Sequence, residues 1–112
     1  MRLPAETNGG MTLADFRRSV SNAAPRAGVG AAVQALWWAA KGDWARAHAL
    51  VMDDPGKDCA WVHAYLHRLE GDLDNAAYWY QAAGRPVASP SEPLEAEWTA
   101  MVGELLAFSA AD

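Results

Sequence analysis

The chain is poor in cysteine: its 112 residues hold one, Cys59. A lone thiol cannot close an internal disulfide or supply the paired cysteines of a structural zinc motif. An ordinary packed core is therefore expected, in a reducing, cytoplasmic setting. Long apolar runs are also missing. The longest, Gly28 to Ala40, is interrupted by Gln34 and is too short to span a bilayer. The opening MRLPAETNGG has no apolar segment of the secretory kind. No membrane partner is expected. Positive charge is scarce, with 9 Lys and Arg against 14 Asp and Glu and a net charge of −5. Such a surface repels phosphate backbones, which excludes nucleic acid as the expected partner. No block of like charge forms a tail. No stretch alternates polar and apolar residues between hairpin turns, so no sheet is expected. A Gly-rich phosphate loop, a Ser-His-Asp order and a carboxylate pair with an evident pocket are all lacking. Neither catalysis nor a cofactor is expected.

What the chain has is apolar helix. Hydrophobic residues make up 52% of it and six are tryptophan. A chain of this size can bury a core unaided. Residues 1–10, with Pro4, Asn8, Gly9 and Gly10, read as a disordered N-terminus, and 11–112 as a single all-helical domain. Thr12 opens a first helix through a Thr-x-x-Asp capping box, with Leu13, Phe16 and Val20 on one face and Arg17 and Arg18 on a solvated one. NAAPRAGVG, residues 22–30, reads as a loop. A helix comes next, from about Val29 to Lys41, apolar nearly all round and so buried on more than one side. Gly42 closes it and Asp43 caps the next, from Trp44 to about Met52. After the turn Asp53-Asp54-Pro55-Gly56, Asp58 is expected to cap a helix from Cys59 to Glu70. Gly71 ends that helix, and Asp72 caps another from Leu73 to about Ala83. A Pro- and Ser-rich connection leads to a last amphipathic helix, capped by Ser89 or Ser91. Its apolar stripe is Leu94, Trp98, Met101 and Leu105; Glu95, Glu97 and Glu104 lie off the stripe. The fold class is all-α, with about six helices.

Gly42-Asp43 and Gly71-Asp72 lie 29 positions apart, and at that offset the flanking segments register. Leu36 falls on Tyr65, Trp44 on Leu73, Ala47 on Ala76 and Val51 on Tyr80. Each copy is helix, Gly-Asp, helix. The better copy, GDLDNAAYWYQAAG, resembles a tetratricopeptide repeat: Ala76, Tyr80 and Ala83 stand where that family places alanine, a large aromatic and alanine. The resemblance covers about residues 29–86 and implies two antiparallel helical hairpins flanked by capping helices. The offset is shorter than the family's usual repeat of roughly 34 residues. The closing proline is missing after the first copy, and His63 and His67 stand where large apolar residues usually pack. WVHAYLHR, YWY and GRP also look like small bacterial proteins, a likeness that carries no function. Two repeats leave stack ends that must be covered by the outer helices or by a second subunit, so a homodimer is a possibility.

Candidate site residues cluster between Asp58 and Arg85. Trp61, Tyr65 and Arg68 share one face of a helix, at i, i+4 and i+7. The resemblance puts such positions on a concave groove, where one guanidinium among aromatics suits a peptide carboxylate. Cys59, His63 and His67 fall at i, i+4 and i+8. Eight residues of helix rise about 12 Å, so Cys59 and His67 can hardly share an ion. His63 and His67 can, provided that His48 or a carboxylate from another helix completes the set. Without a metal, each is expected to be held neutral by a partner such as Tyr78, Tyr80 or a helix carbonyl. Cys59 is expected to be buried and inert. The leading expectation is a cytoplasmic protein–protein or protein–peptide interaction module. The alternative is a small-ligand or metal-binding protein using His63, His67 and Arg68.

Overall fold

A computed structural model describes residues 11–111, with side chains up to Ala107. Among them run six helices and no strand. They are α1 (Leu13–Ser19), α2 (Ala31–Ala40), α3 (Trp44–Val51), α4 (Lys57–Glu70), α5 (Leu73–Ala83) and α6 (Leu94–Ala111). The expected disorder of residues 1–10 lies outside the described residues. No described helix is long and apolar enough to cross a membrane.

Two helical hairpins, α2–α3 and α4–α5, form the body. Both turn in the same way. Gly42 and Gly71 each take φ 91°, a left-handed conformation that costs glycine little. Asp43 N–H donates to the Trp38 carbonyl at 2.9 Å, and Asp72 N–H to that of His67 at 2.9 Å. Each aspartate then caps the second helix of its hairpin: Asp43 accepts from Arg46 N–H and Asp72 from Asn75 N–H. Ala47 and Ala76 are buried, and their small side chains let the paired helices approach closely. α4 packs on α2, α3 and α5. α6 crosses α2 and α4, and α1 rests on α6.

Tryptophan pins these layers together. The Trp37 indole N–H donates to Ser19 Oγ at 3.0 Å, tying α2 to α1. That of Trp98 reaches the Leu36 carbonyl at 2.8 Å, tying α6 to α2. That of Trp44 reaches the Leu66 carbonyl at 2.7 Å, tying α3 to α4. Each ring thus contributes buried area at one end and a directed bond at the other.

Three expectations about local structure need correction. α4 starts at Lys57 with Gly56 as its cap, and Asp58 sits inside the first turn. Asp54 draws the chain into the helix earlier, because its carboxylate accepts the Gly56 N–H at 2.8 Å. Neither Ser89 nor Ser91 caps α6. The two hydroxyls lie 2.9 Å apart in a turn of their own, and the first bonds of α6 run to the Pro93 carbonyl. Glu97, expected off the apolar stripe, lies on the buried side: it is 6% exposed, wedged against α4 and α5. Arg17 is exposed but not idle, since it pairs with Glu95 at 2.5 Å and lies over the Trp98 ring.

Candidate metal centre

α4 carries His63 and His67 one turn apart, facing α3 and α5. α3 contributes His48 from the other hairpin. One ring nitrogen from each lies within 4.8 Å of those of the other two. The ring centroids are 4.7 Å (His48–His63), 4.8 Å (His63–His67) and 5.3 Å (His48–His67) apart. His63 and His67 are buried, and His48 is half-buried at the rim. Two indoles wall the cluster. Trp44 stacks on His48 at 4.6 Å, and Trp79 of α5 stacks on His63 at 4.0 Å.

The hydrogen bonds restrict which ring nitrogens carry protons. His48 Nε2 and His63 Nε2 face each other at 3.0 Å, so one must carry the proton and the other a lone pair. His63 Nδ1 is buried with no partner. A buried polar atom left unpaired costs about 1–3 kcal/mol. His67 Nδ1 lies 2.8 Å from Glu70 Oε2, one turn on. A carboxylate only accepts, so Nδ1 bears the hydrogen, and in the neutral ring Nε2 keeps the free lone pair. This is the arrangement in which an outer carboxylate orients a metal-binding imidazole.

The spacing suits a tetrahedral ion. Metal–nitrogen bonds of about 2.0–2.1 Å place two ligand nitrogens about 3.3 Å apart. The His48–His63 pair at 3.0 Å needs only a small opening. The remaining separations are no more than 4.8 Å, so binding one ion requires the rings to draw together by up to about 1.5 Å. His67, Glu70 and Asp72 also come within reach of one another, but both carboxylates there are exposed and only one imidazole takes part.

The partners expected for the buried histidines are not the ones found. Tyr78 points to solvent, 63% exposed, and the Tyr80 hydroxyl donates to Glu97. His63 instead meets His48, and His67 meets Glu70.

Burial, with His48 and His67 close by, lowers the pKa of His63 to about 4. Burial is also the main cause lowering that of His48; His67 adds to it, while Glu70 and Asp53 pull the other way. Unfolded, a histidine titrates near 6.5, so on acidification the unfolded chain takes up this proton first. The stability tied to neutral His63 is therefore complete above pH 6.5 and is lost between pH 6.5 and about 4. For the metal-free protein the loss is expected to reach about 3 kcal/mol by urea unfolding. His63→Gln should flatten the profile over that interval. An unchanged slope in the variant would remove His63 as its origin.

Trp61, Tyr65 and Arg68 are 9%, 5% and 8% exposed. They lie under α6 and the segment that leads into it. The Trp61 face is covered by the Arg85 guanidinium, 3.7 Å from the ring centroid. Arg68 binds Glu97 at 2.7 Å and donates to the carbonyls of Ser89 and Glu92. The carboxylate it was expected to clamp is thus the chain's own, and Arg68 does not join His63 and His67 in one site. Cys59 is buried and lies outside the histidine cluster; burial first, then Asp54 and Asp58, push its thiol up to about 12. Sequence reasoning had His48 only as one possible third ligand, and it missed Trp44, Trp79 and Glu97. Glu70, three residues beyond His67, was the legible signal of an orienting carboxylate.

No protein-family model, curated protein or solved structure matches this chain.

Proposed function

We propose that this chain is a metal-ion-binding helical domain whose ligands are His48, His63 and His67. One observation carries the reading: three imidazole nitrogens, drawn from two different hairpins, gather within 4.8 Å of one another. The Nε2 atoms of His48 and His63 already face each other at 3.0 Å, close to the separation of two ligands on one ion. A first-row transition ion fits, because neutral imidazole suits zinc, copper and nickel, whereas magnesium and calcium take oxygen ligands. Relative to the small-ligand alternative, Arg68 leaves the ligand set and His48 enters it.

The test is metal uptake by the tag-free chain. After equilibration with Zn2+ and removal of free ion, elemental analysis should find one zinc per chain. His48→Ala should abolish retention while keeping the helical circular dichroism, since the residue is at the rim. Equal retention in the variant would sink the reading.

A second reading is the cytoplasmic protein–peptide interaction module built on tetratricopeptide-like hairpins. The matching Gly-Asp turns support it. The burial of Trp61, Tyr65 and Arg68 weighs against those residues as its groove. A homodimer covering the stack ends belongs with this second reading, and sedimentation at high micromolar concentration tests it.

A further inference from the structure

With the three histidines taken as ligands of one ion, an inference that rests on the proposed function, a tetrahedral ion keeps one position to fill. We propose that this fourth position is open to a small exogenous ligand, water or a small anion, and that Glu70 orients His67 without binding the ion.

The donor set leads there. Among the described residues, the group gathered at His48 and His63 contains no carboxylate and no thiolate. Glu70 is the acidic side chain bonded to the cluster, and its oxygen is spent on His67 Nδ1 at 2.8 Å. That bond lies on the far side of the imidazole ring from Nε2, the nitrogen left to bind metal. A carboxylate so placed fixes ring and tautomer, and makes the opposite nitrogen more basic.

Charge favours the same conclusion. Three neutral imidazoles leave both positive charges of a divalent ion uncompensated, beside indole rings that solvate it poorly. An anion in the fourth position relieves this directly, whereas Glu70 and Asp53, the carboxylates that act on His48, do so only from farther out. Access is set by burial. His63 and His67 are enclosed, and Trp79 covers one face of His63. His48 is half-buried, so an exogenous ligand approaches on its side. Three protein nitrogens with a fourth, exchangeable position is the pattern that separates reactive zinc sites from closed structural ones.

Cobalt(II) serves as a spectroscopic stand-in for zinc, and azide as the small anion. The tag-free chain, loaded with one equivalent of Co2+, should show the intense visible bands of four-coordinate cobalt. Added azide should displace bound water and move those bands saturably. Glu70→Gln should keep the bands and the azide response but bind Co2+ about 10- to 100-fold more weakly, the usual cost of losing such an outer partner. Bands that azide does not move would overturn the open position. A Glu70→Gln spectrum already altered before azide would make Glu70 a ligand and overturn its orienting role. A parent chain that takes up no cobalt fails earlier, before any azide is added. That outcome overturns the metal reading itself and this proposal with it.

Discussion

Zinc at a hundredfold excess over its dissociation constant is expected to raise the thermal midpoint of this domain by about 10 °C, a figure built from two general relations. Binding to the folded state alone stabilises it by RT ln(1 + [L]/Kd), about 2.7 kcal/mol at that excess. For a domain of about a hundred residues, each kcal/mol moves the midpoint by roughly 4 °C or more. The physical origin is local. His48 belongs to the first hairpin and His63 and His67 to the second, so the ion ties α3 to α4 across the stack. Unfolding separates ligands that stand as far apart in sequence as His48 and His67, and the site is lost. Differential scanning calorimetry at pH 7.5 measures the shift. Magnesium at the same concentration should give none, because it seeks oxygen ligands. His48→Ala should cut the zinc response to a small residue from exposed carboxylates. The same rise in parent and variant would mean that zinc acts elsewhere.

Much of the fold was legible because its signals are local. Gly-Asp at 42–43 and 71–72 marks both hairpin turns with two residues each, one supplying positive φ and the other a cap. The pairing of His63 with His67 comes from one turn of helix. What was not legible depends on contacts between elements. His48 lies 15 positions before His63, and only the packing of α3 on α4 brings the two rings to 4.7 Å. The burial of Glu97 is harder still. Periodicity puts position 97 on the stripe of α6, three residues after Leu94 and four before Met101, but the charge of a carboxylate there argued for solvent. Arg68, 29 positions earlier, and Tyr80, 17 earlier, make its burial tolerable. Arg68 was itself misplaced for the same reason. Its guanidinium looked free for a partner's carboxylate because the sequence did not show that α6 returns to cover it. The start of α6 moved because Ser89 and Ser91 bond within their own turn, a choice that propensity does not resolve.

Glu97→Ala is expected to destabilise the fold more than any of the histidine variants, costing about 3–5 kcal/mol. Glu97 holds two buried groups at once. One carboxylate oxygen accepts from Arg68 at 2.7 Å and the other accepts the Tyr80 hydroxyl. Arg68 and Glu97 are both under a tenth exposed, so neither can turn to water when its partner is lost. Burial and the bond to Glu97 raise the Tyr80 pKa, which keeps the phenol a donor at neutral pH. Alanine would leave a guanidinium with only backbone carbonyls around it and a phenol with no acceptor. Glu97→Gln should cost less, because an amide oxygen still accepts one of the two bonds. Arg68→Met combined with Glu97→Leu should also cost less than Glu97→Ala, since no unpaired charge stays inside. The loss matters because a domain of this size is stable by about 5–15 kcal/mol in total. Urea unfolding at pH 7 ranks the variants. α6 is the element that Glu97 anchors, so its amides should lose hydrogen-exchange protection first in Glu97→Ala. If Glu97→Ala costs under about 1 kcal/mol, the buried pair is not what holds α6 on the hairpins, and the indole bond from Trp98 to Leu36 takes over that role.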